Sequence, residues 1–222
     1  MKKILVLLVF ISVIFYNCRK NVYEPTVTDI GQSFFPVKKG QIFIYKADSF
    51  KIGYQGLPIN GIWKSFYIKE EVIYKSADTN RIVYTFARYH SKDSVKWNFV
   101  KYHFYEVEKF RVIHKEDDLL TTELVFPVSL HYYWNGNEFN NLDFQEYEYS
   151  ILGYDFKSFD RIFPNSLKVR MDSTINSVQN HTRFSVFSKN IGIIYHESTY
   201  LDVPANDTIG TRFLKSLIKF SL

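Results

Sequence analysis

Histidines and acidic residues are the side chains of this sequence that could bind a metal ion or transfer protons. The six histidines are dispersed along the chain, at His90, His103, His114, His131, His181 and His196. The sequence contains no H-x-H or H-E-x-x-H spacing, and its single cysteine, Cys18, cannot complete a zinc site by itself. Folding of strands could still bring some histidines together, but the sequence alone predicts no metal ion and no cofactor.

Acidic residues occur in pairs that could flank a substrate, as two carboxylates do in glycoside hydrolysis. The pairs are Glu70 and Glu71, Glu106 and Glu108, Asp117 and Asp118, and Glu146 and Glu148. Residues two apart on a strand point to the same face, although such pairs are usually solvated. The sequence has no G-x-S-x-G motif and no glycine-rich phosphate loop. It therefore assigns no catalytic residue and predicts a protein that is not an enzyme, with a carbohydrate-acting hydrolase as a remote alternative.

An aromatic and basic segment, Val95 to Lys115, has residue types that could stack on single-stranded nucleic acid. Glu106 and Glu108 interrupt its positive charge, and the formal net charge of +5 falls to +3 if Lys2 and Lys3 are removed with a signal peptide. A long β-hairpin with aromatic cross-strand pairs explains the segment better. We therefore predict no nucleic-acid partner.

The segment HYYWNGN, His131 to Asn137, joins three adjacent aromatic residues to a turn-forming Asn-Gly pair. Tyr132, Tyr133 and Trp134 could line a pocket or contact a partner, because aromatic side chains combine a large apolar area with polar tips. They could equally face the core on either side of a hairpin. These three residues are the candidates for ligand binding or partner contact, and both interpretations stay open at this point.

The first 17 residues have the pattern of an export signal. Lys2 and Lys3 precede the apolar run Ile4 to Phe15, in which only Ser12 is polar. This run is too short for a membrane-spanning helix, which needs about 20 residues, but it fits the roughly 7 to 15 residues of a signal-peptide core. A buried core helix and an amphipathic anchor are the alternatives, yet an anchor of that kind needs a polar face. We therefore predict that residues 1–17 form a signal peptide.

Cys18 stands where this apolar run gives way to charged residues. The stretch FYNC, residues 15–18, resembles the lipobox of bacterial lipoproteins, in which signal peptidase cuts before a cysteine that becomes lipid-modified. The resemblance implies that Cys18 carries acyl chains such as palmitate, which anchor the protein in a membrane. Arg19 and Lys20 follow in place of Asp, which by resemblance to envelope lipoproteins implies the outer membrane, and the lack of an acidic cluster after Cys18 implies a periplasm-facing position. An ordinary secretory signal beside a free cysteine is the alternative.

Most of the remaining chain alternates between polar and apolar residues with a period of two, which is typical of half-buried strands. The clearest example is Ser166 to Ser177, in which one face carries Leu167, Val169, Met171 and Ile175. The 21 Phe and 17 Tyr residues favour strands, whereas alanine, the strongest helix former, occurs only four times. The sequence therefore predicts an all-β fold, or β with one or two short helices.

The domain organisation follows from where this alternation begins. Residues 18–33 include Pro25 and Gly31 and show little apolar periodicity, so we predict a lipidated cysteine followed by a flexible tether. Pro36 and Gly40 then mark a loop before the first apolar strand. Residues 34–222 are predicted to form a single antiparallel β domain.

Two segments carry a more distant resemblance. KNIGIIYHES, Lys189 to Ser198, has a strand, a glycine-centred turn and an apolar strand, and FFPVKKGQIFIYK adds Pro36, Gly40 and Tyr45. Together they resemble uncharacterised envelope lipoproteins and, more distantly, the LolA/LolB-like half-barrel group. This resemblance implies a single curved antiparallel sheet, shaped as a half-barrel or barrel, that holds an acyl chain or another apolar molecule on its concave face.

The sequence thus predicts an outer-membrane-anchored lipoprotein that acts as a binding module for an apolar or acyl-chain ligand. Its partners would be the membrane, through the N-terminal lipid, and that small molecule. The alternative is a scaffold subunit that pairs with another envelope protein through a sheet edge or an aromatic loop. An internal apolar pocket would favour the binding module, whereas a filled core with an exposed aromatic patch would favour the scaffold.

Overall fold

The computed structural model describes residues 29–53, 58, 60–203 and 208–221. The predicted signal peptide at residues 1–17, Cys18 and the first part of the predicted tether lie outside the described residues. Within the described part, no helix has the length and apolar character needed to cross a bilayer.

Twelve strands account for most of the described chain, together with one 3-10 helix, η1, at Gln32–Phe34. The strands are β1 (Ile42–Ile52), β2 (Ile62–Ala77), β3 (Arg81–Ser91), β4 (Asn98–Glu108), β5 (Arg111–Glu116), β6 (Leu119–Val125), β7 (Tyr133–Asn135), β8 (Glu146–Ser158), β9 (Arg161–Ile175), β10 (Gln179–Ser188), β11 (Gly192–Asp202) and β12 (Ile209–Phe220). The predicted all-β fold is confirmed, and the described residues contain no α-helix.

All twelve strands belong to one antiparallel sheet in the order β6-β5-β4-β3-β2-β1-β12-β11-β10-β9-β8-β7. The first strand pairs with the last, so the ends of the sheet are β6 and β7. These ends meet at a seam, where the backbone N–H of Thr122 donates to the carbonyl of Gly136 at 2.9 Å. The side-chain amide of Asn140 also donates to the carbonyl of Leu120 at 2.7 Å. The sheet is therefore a nearly closed barrel, as the predicted curvature requires.

Alternation along the strands decides which side chains enter the barrel. On β9, Leu167, Val169 and Met171 are buried, as their shared face predicts. Ile175 is on the same predicted face but is 68% exposed, because the end of the strand extends beyond the packed core. On β2, Ile68, Glu70 and Val72 are all buried on one face, so a charged residue enters the interior between two apolar ones.

Residues 29–41 close one end of the barrel. Phe34 and Phe35 are buried in the core, and the ring of Phe35 packs against that of Tyr105 with centroids 4.9 Å apart. The loops after β4, β6 and β10 lie at this end, since neighbouring strands are antiparallel. The segment forms a hydrogen bond with each of these loops. The side chain of Gln32 donates to the carbonyl of Lys109 after β4. The backbone amide of Val128, after β6, donates to the carbonyl of Ile30, and that of Asn190, after β10, donates to the carbonyl of Ser33. The packed domain thus includes residues 29–33, which the sequence assigns to the tether.

Candidate functional site

A partly open cavity of about 280 Å³ lies between the strands of the barrel. Its wall combines a few apolar side chains with many charged or hydrogen-bonding ones, namely Ile68, Arg88, Tyr105, His114, Glu116, Glu123, Ser185, Ile193, His196, Phe213 and Lys215. These residues come from eight strands on both sides of the β1–β12 junction. Only the assembled barrel therefore brings them together.

Glu70 is the centre of a charge network inside the barrel. Its Oε1 accepts hydrogen bonds from Arg88 Nε at 3.1 Å and from Lys215 Nζ at 3.2 Å. Burial by itself would raise the pKa of Glu70, but the positive charges of Lys215 and Arg88 hold that pKa well below the usual range of a carboxyl group. Glu70 is therefore a carboxylate fixed between two cations, and β2, β3 and β12 are joined through it.

Arg88 connects this network to a second carboxylate, Glu116. The guanidinium donates to Oε1 of Glu116 at 2.6 Å, and Nζ of Lys101 lies 2.6 Å from the same oxygen. Burial raises the pKa of Glu116, yet Arg88 and Lys101 outweigh it and bring the pKa to about 2. Burial also disfavours the charged form of Arg88, but Glu70 and Glu116 keep its pKa above the usual value. This part of the wall is fully ionised at neutral pH.

Two of the six histidines meet beside these carboxylates. Nδ1 of His103 on β4 lies 3.0 Å from Nε2 of His114 on β5. His103 is fully buried, and this burial lowers its pKa to about 3, so its imidazole is neutral at physiological pH. The ring of His114 stacks on Tyr105 with centroids 4.4 Å apart. The structure thus supplies the clustering of histidines that their spacing in the sequence does not reveal.

A serine and a third histidine face the cavity from β10 and β11. Oγ of Ser185 lies 2.9 Å from Nδ1 of His196, and burial lowers the pKa of His196 to about 4. A serine beside a neutral imidazole is the first half of a nucleophilic pair, which a third group normally orients. Within the described chain, however, no carboxylate oxygen lies within 4.0 Å of His196. The contact therefore satisfies two buried polar groups without completing a catalytic triad.

The three aromatic candidates from the sequence have different environments. Tyr132 and Tyr133 are 46% and 49% exposed, and neither lines the cavity. Trp134 is buried at the seam, where its Nε1 donates to the carbonyl of Thr122 at 2.8 Å and its ring packs on Tyr149. Trp134 thus faces the core, as one of the two interpretations has it, whereas contact of the exposed Tyr132 and Tyr133 with a ligand or a partner stays a prediction.

The acidic pairs do not act as pairs in the structure. Glu106 and Glu108 bind Arg81 and Arg111 in surface salt bridges. Glu148 is buried against His131 and Arg170, outside the cavity wall. Only Glu70 of the paired acids joins the interior network, whereas Glu116 and Glu123, which line the cavity, belong to no pair.

The fold and the cavity define a class of protein, a nearly closed antiparallel barrel with a polar interior cavity. No protein-family model matches the chain, and no curated protein matches its sequence.

Two solved structures have a similar shape. One, from Bacteroides fragilis NCTC 9343, is provisionally described as an exported protein with a YmcC-like fold; it is 12% identical, with 85% of this chain and 99% of that chain covered and a TM-score of 0.48. The other, from Parabacteroides distasonis ATCC 8503, is provisionally described as a lipoprotein; it is 10% identical, with 85% and 98% covered and a TM-score of 0.43. At these identities the likeness concerns the fold alone.

Proposed function

We propose that this protein is a lipid-anchored envelope protein whose barrel binds a small polar molecule in its interior cavity, without transforming it. The observation that carries the proposal is the lining of the cavity, where Lys215, His196 and Glu116 present charged or hydrogen-bonding groups to the space within it. An acyl chain in contact with such groups would remove them from water without offering hydrogen bonds, which is costly. The lining therefore favours a polar ligand over the acyl chain that the sequence predicts.

The charges of the wall narrow the class of ligand. Arg88, Lys215 and Lys101 contribute three positive charges to the wall and its direct partners, and Glu70, Glu116 and Glu123 contribute three negative ones. A neutral or zwitterionic molecule matches this balance, because a single net charge would be left without a counter-charge in the interior. The volume is near the lower end for ligand pockets, which suits a molecule of the size of an amino acid or a monosaccharide.

A binding screen tests this proposal. We expect the lipidated protein in detergent to bind one amino acid or monosaccharide with one-to-one saturation, measured by calorimetry. Ser185→Leu, which fills the cavity from β10, should weaken that binding at least about tenfold, which corresponds to about 1.4 kcal/mol. Ser173→Leu is the matched control, since Ser173 is exposed on β9 and outside the cavity wall. Saturable binding of a fluorescent fatty acid that Ser185→Leu abolishes would instead identify an apolar ligand.

The proposed lipid anchor is inferred from the sequence around Cys18. We expect metabolic labelling with radioactive palmitate to mark the wild-type protein and to leave Cys18→Ala unlabelled, because this is the only cysteine in the chain. Ser12→Ala, which keeps the apolar run intact, should be labelled like the wild type. Label that persists in Cys18→Ala would refute lipid attachment at this residue. Recovery of the labelled protein with inner-membrane vesicles would refute the proposed outer-membrane location.

A scaffold role is the second candidate, and one surface feature favours it. The segment at residues 130–144, next to the seam, exposes six large apolar side chains, Leu130, Tyr132, Tyr133, Phe139, Leu142 and Phe144. Contiguous exposed apolar groups commonly mark contacts with other proteins. Absence of saturable ligand binding, combined with an envelope protein that co-purifies with the wild type but not with Phe144→Ser, would favour this role over ligand binding.

A further inference from the structure

Two neighbouring imidazoles, the buried His103 and the partly buried His114 of the cavity wall, each lie between another ring and a carboxylate. Nδ1 of His103 and Nε2 of His114 face each other at 3.0 Å. On the outer sides, Nε2 of His103 lies 3.8 Å from Oε1 of Glu70, and Nδ1 of His114 lies 3.7 Å from Oε1 of Glu123. Nε2 of His103 is buried without a hydrogen-bond partner. The two imidazoles therefore belong to a row of polar groups that runs from Glu70 through His103 and His114 to Glu123, in which the outer hydrogen bonds are not formed.

Two neutral imidazoles carry too few protons to give every neighbouring pair in this row a hydrogen bond. Each neutral ring carries one N–H. If both N–H groups face the carboxylates, two lone pairs meet at 3.0 Å between the rings. If one N–H lies between the rings, an outer nitrogen directs its lone pair at a carboxylate. A cation between the facing nitrogens resolves the conflict, and it must be either a third proton or a metal ion.

A third side chain favours the metal ion. Oε2 of Glu116 lies 3.5 Å from the same Nε2 of His114, and one ligand atom from each of His103, His114 and Glu116 can be chosen so that all three lie within 4.8 Å of one another. Zinc–nitrogen bonds of about 2.0 to 2.1 Å place tetrahedral ligands about 3.3 Å apart, and the separations of 3.0 Å between the two rings and 3.5 Å between His114 and Glu116 are within a few tenths of an ångström of that value. A proton needs only two of these groups, whereas a metal ion uses all three.

We propose that His103, His114 and Glu116 bind a divalent transition-metal ion of the class that Zn²⁺ represents. Two imidazoles and one carboxylate are a donor set of catalytic zinc sites, which keep a fourth position for water or a ligand. Glu70 and Glu123 would then accept the outer N–H groups of the two rings, as carboxylates commonly do beside metal-bound histidines. The inference deepens the proposed function and rests on it in one respect, because His114 and Glu116 also line the ligand cavity.

Zinc uptake by the purified protein tests this inference. Lipidated protein in detergent is stripped with a chelator, dialysed against Zn²⁺, and analysed for bound metal by mass spectrometry. We expect one zinc ion per chain in the wild type and no stoichiometric zinc in His114→Gln or Glu116→Gln. Glu123→Gln should bind zinc about 10- to 100-fold more weakly, which is the usual effect of losing an outer-sphere carboxylate. His181→Gln is the matched control, since His181 lies 2.7 Å from Asp202 outside the cluster and should leave uptake unchanged.

Far-ultraviolet circular dichroism must show that each variant is folded, and Glu116→Gln provides a second ligand variant if His114→Gln is not. Wild-type protein that binds no zinc would overturn the inference and leave a third proton as the shared cation. Unchanged uptake in a folded His114→Gln would overturn it as well. Polar-ligand binding by protein that takes up no zinc would refute this inference alone, whereas zinc uptake without any polar ligand would refute the proposed function alone.

Discussion

Replacing Glu70 by alanine is expected to lower the free energy of unfolding by about 3 to 5 kcal/mol, which is the usual effect of removing one partner from a buried ion pair. Glu70 is only 2% exposed and accepts from both Arg88 and Lys215. Its loss leaves Arg88 and Lys215, whose side chains are largely buried, with less compensation for their positive charge. Urea denaturation of both proteins should show a lower midpoint with an unchanged slope.

Glu71→Ala is the matched control for this change. Glu71 is the next residue on β2 but is partly exposed, and its salt bridge with Lys69 spans 3.3 Å. Pairs of this kind contribute about 0 to 1 kcal/mol, so the control should unfold nearly like the wild type. Equal losses in Glu70→Ala and Glu71→Ala would show that the buried network does not stabilise the fold.

The dependence of this effect on pH follows from the lowered pKa of Glu70. A carboxyl group whose pKa is lower in the folded state stabilises the protein fully above its unfolded pKa, about 4.3 for glutamic acid. That stabilisation is lost as the pH falls from there towards the folded pKa. The stability difference between the wild type and Glu70→Gln should therefore be largest above about pH 5 and should narrow in acid. A difference that widens in acid would contradict the charge network.

The sequence predicts the strands and several interior residues correctly, because the period of two persists even where charged residues enter the core. Glu70 is in phase with Ile68 and Val72, and Lys215 is in phase with Phe213 and Leu217. A charge on the apolar face of a strand is the signal that could have identified the interior network. Neighbouring charges such as Glu70 and Glu71 point to opposite faces of the strand, so the phase of each charge, and not its neighbour along the chain, indicates whether it enters the barrel.

Which interior residues meet could not be predicted, because this depends on how the sheet closes. Glu70 and Lys215 are 145 positions apart, and their contact exists only because β1 lies between β2 and β12. The meeting of His103 and His114 is more local. These residues lie on strands joined at Lys109 and Phe110, and the predicted hairpin at residues 95–115 contains both. Fixing the register of that hairpin would have placed the two rings diagonally on one face.

Trp134→Ala is the second substitution with a large expected effect, and it concerns the seam between the two ends of the sheet. The indole is buried, donates from Nε1 to the carbonyl of Thr122 and packs against Tyr147 and Tyr149. Removing it leaves a cavity and an unsatisfied carbonyl at the place where β6 meets the segment after β7. Large-to-small changes of buried aromatic residues cost about 3 to 5 kcal/mol, so we expect a loss of that size in the free energy of unfolding.

The matched control is Tyr132→Ala, because Tyr132 is two residues away and exposed, and its loss should change stability by no more than about 0.5 kcal/mol. Hydrogen exchange gives a local readout that general destabilisation does not explain. The backbone amide of Thr122 donates to Gly136 across the seam, whereas that of Val72 donates to Gln41 away from the seam. After correction for the change in global stability, Trp134→Ala should accelerate hydrogen exchange more at Thr122 than at Val72. Equal acceleration at both amides would mean that Trp134 stabilises the whole barrel without closing the seam, and unchanged stability would mean that the seam does not depend on it.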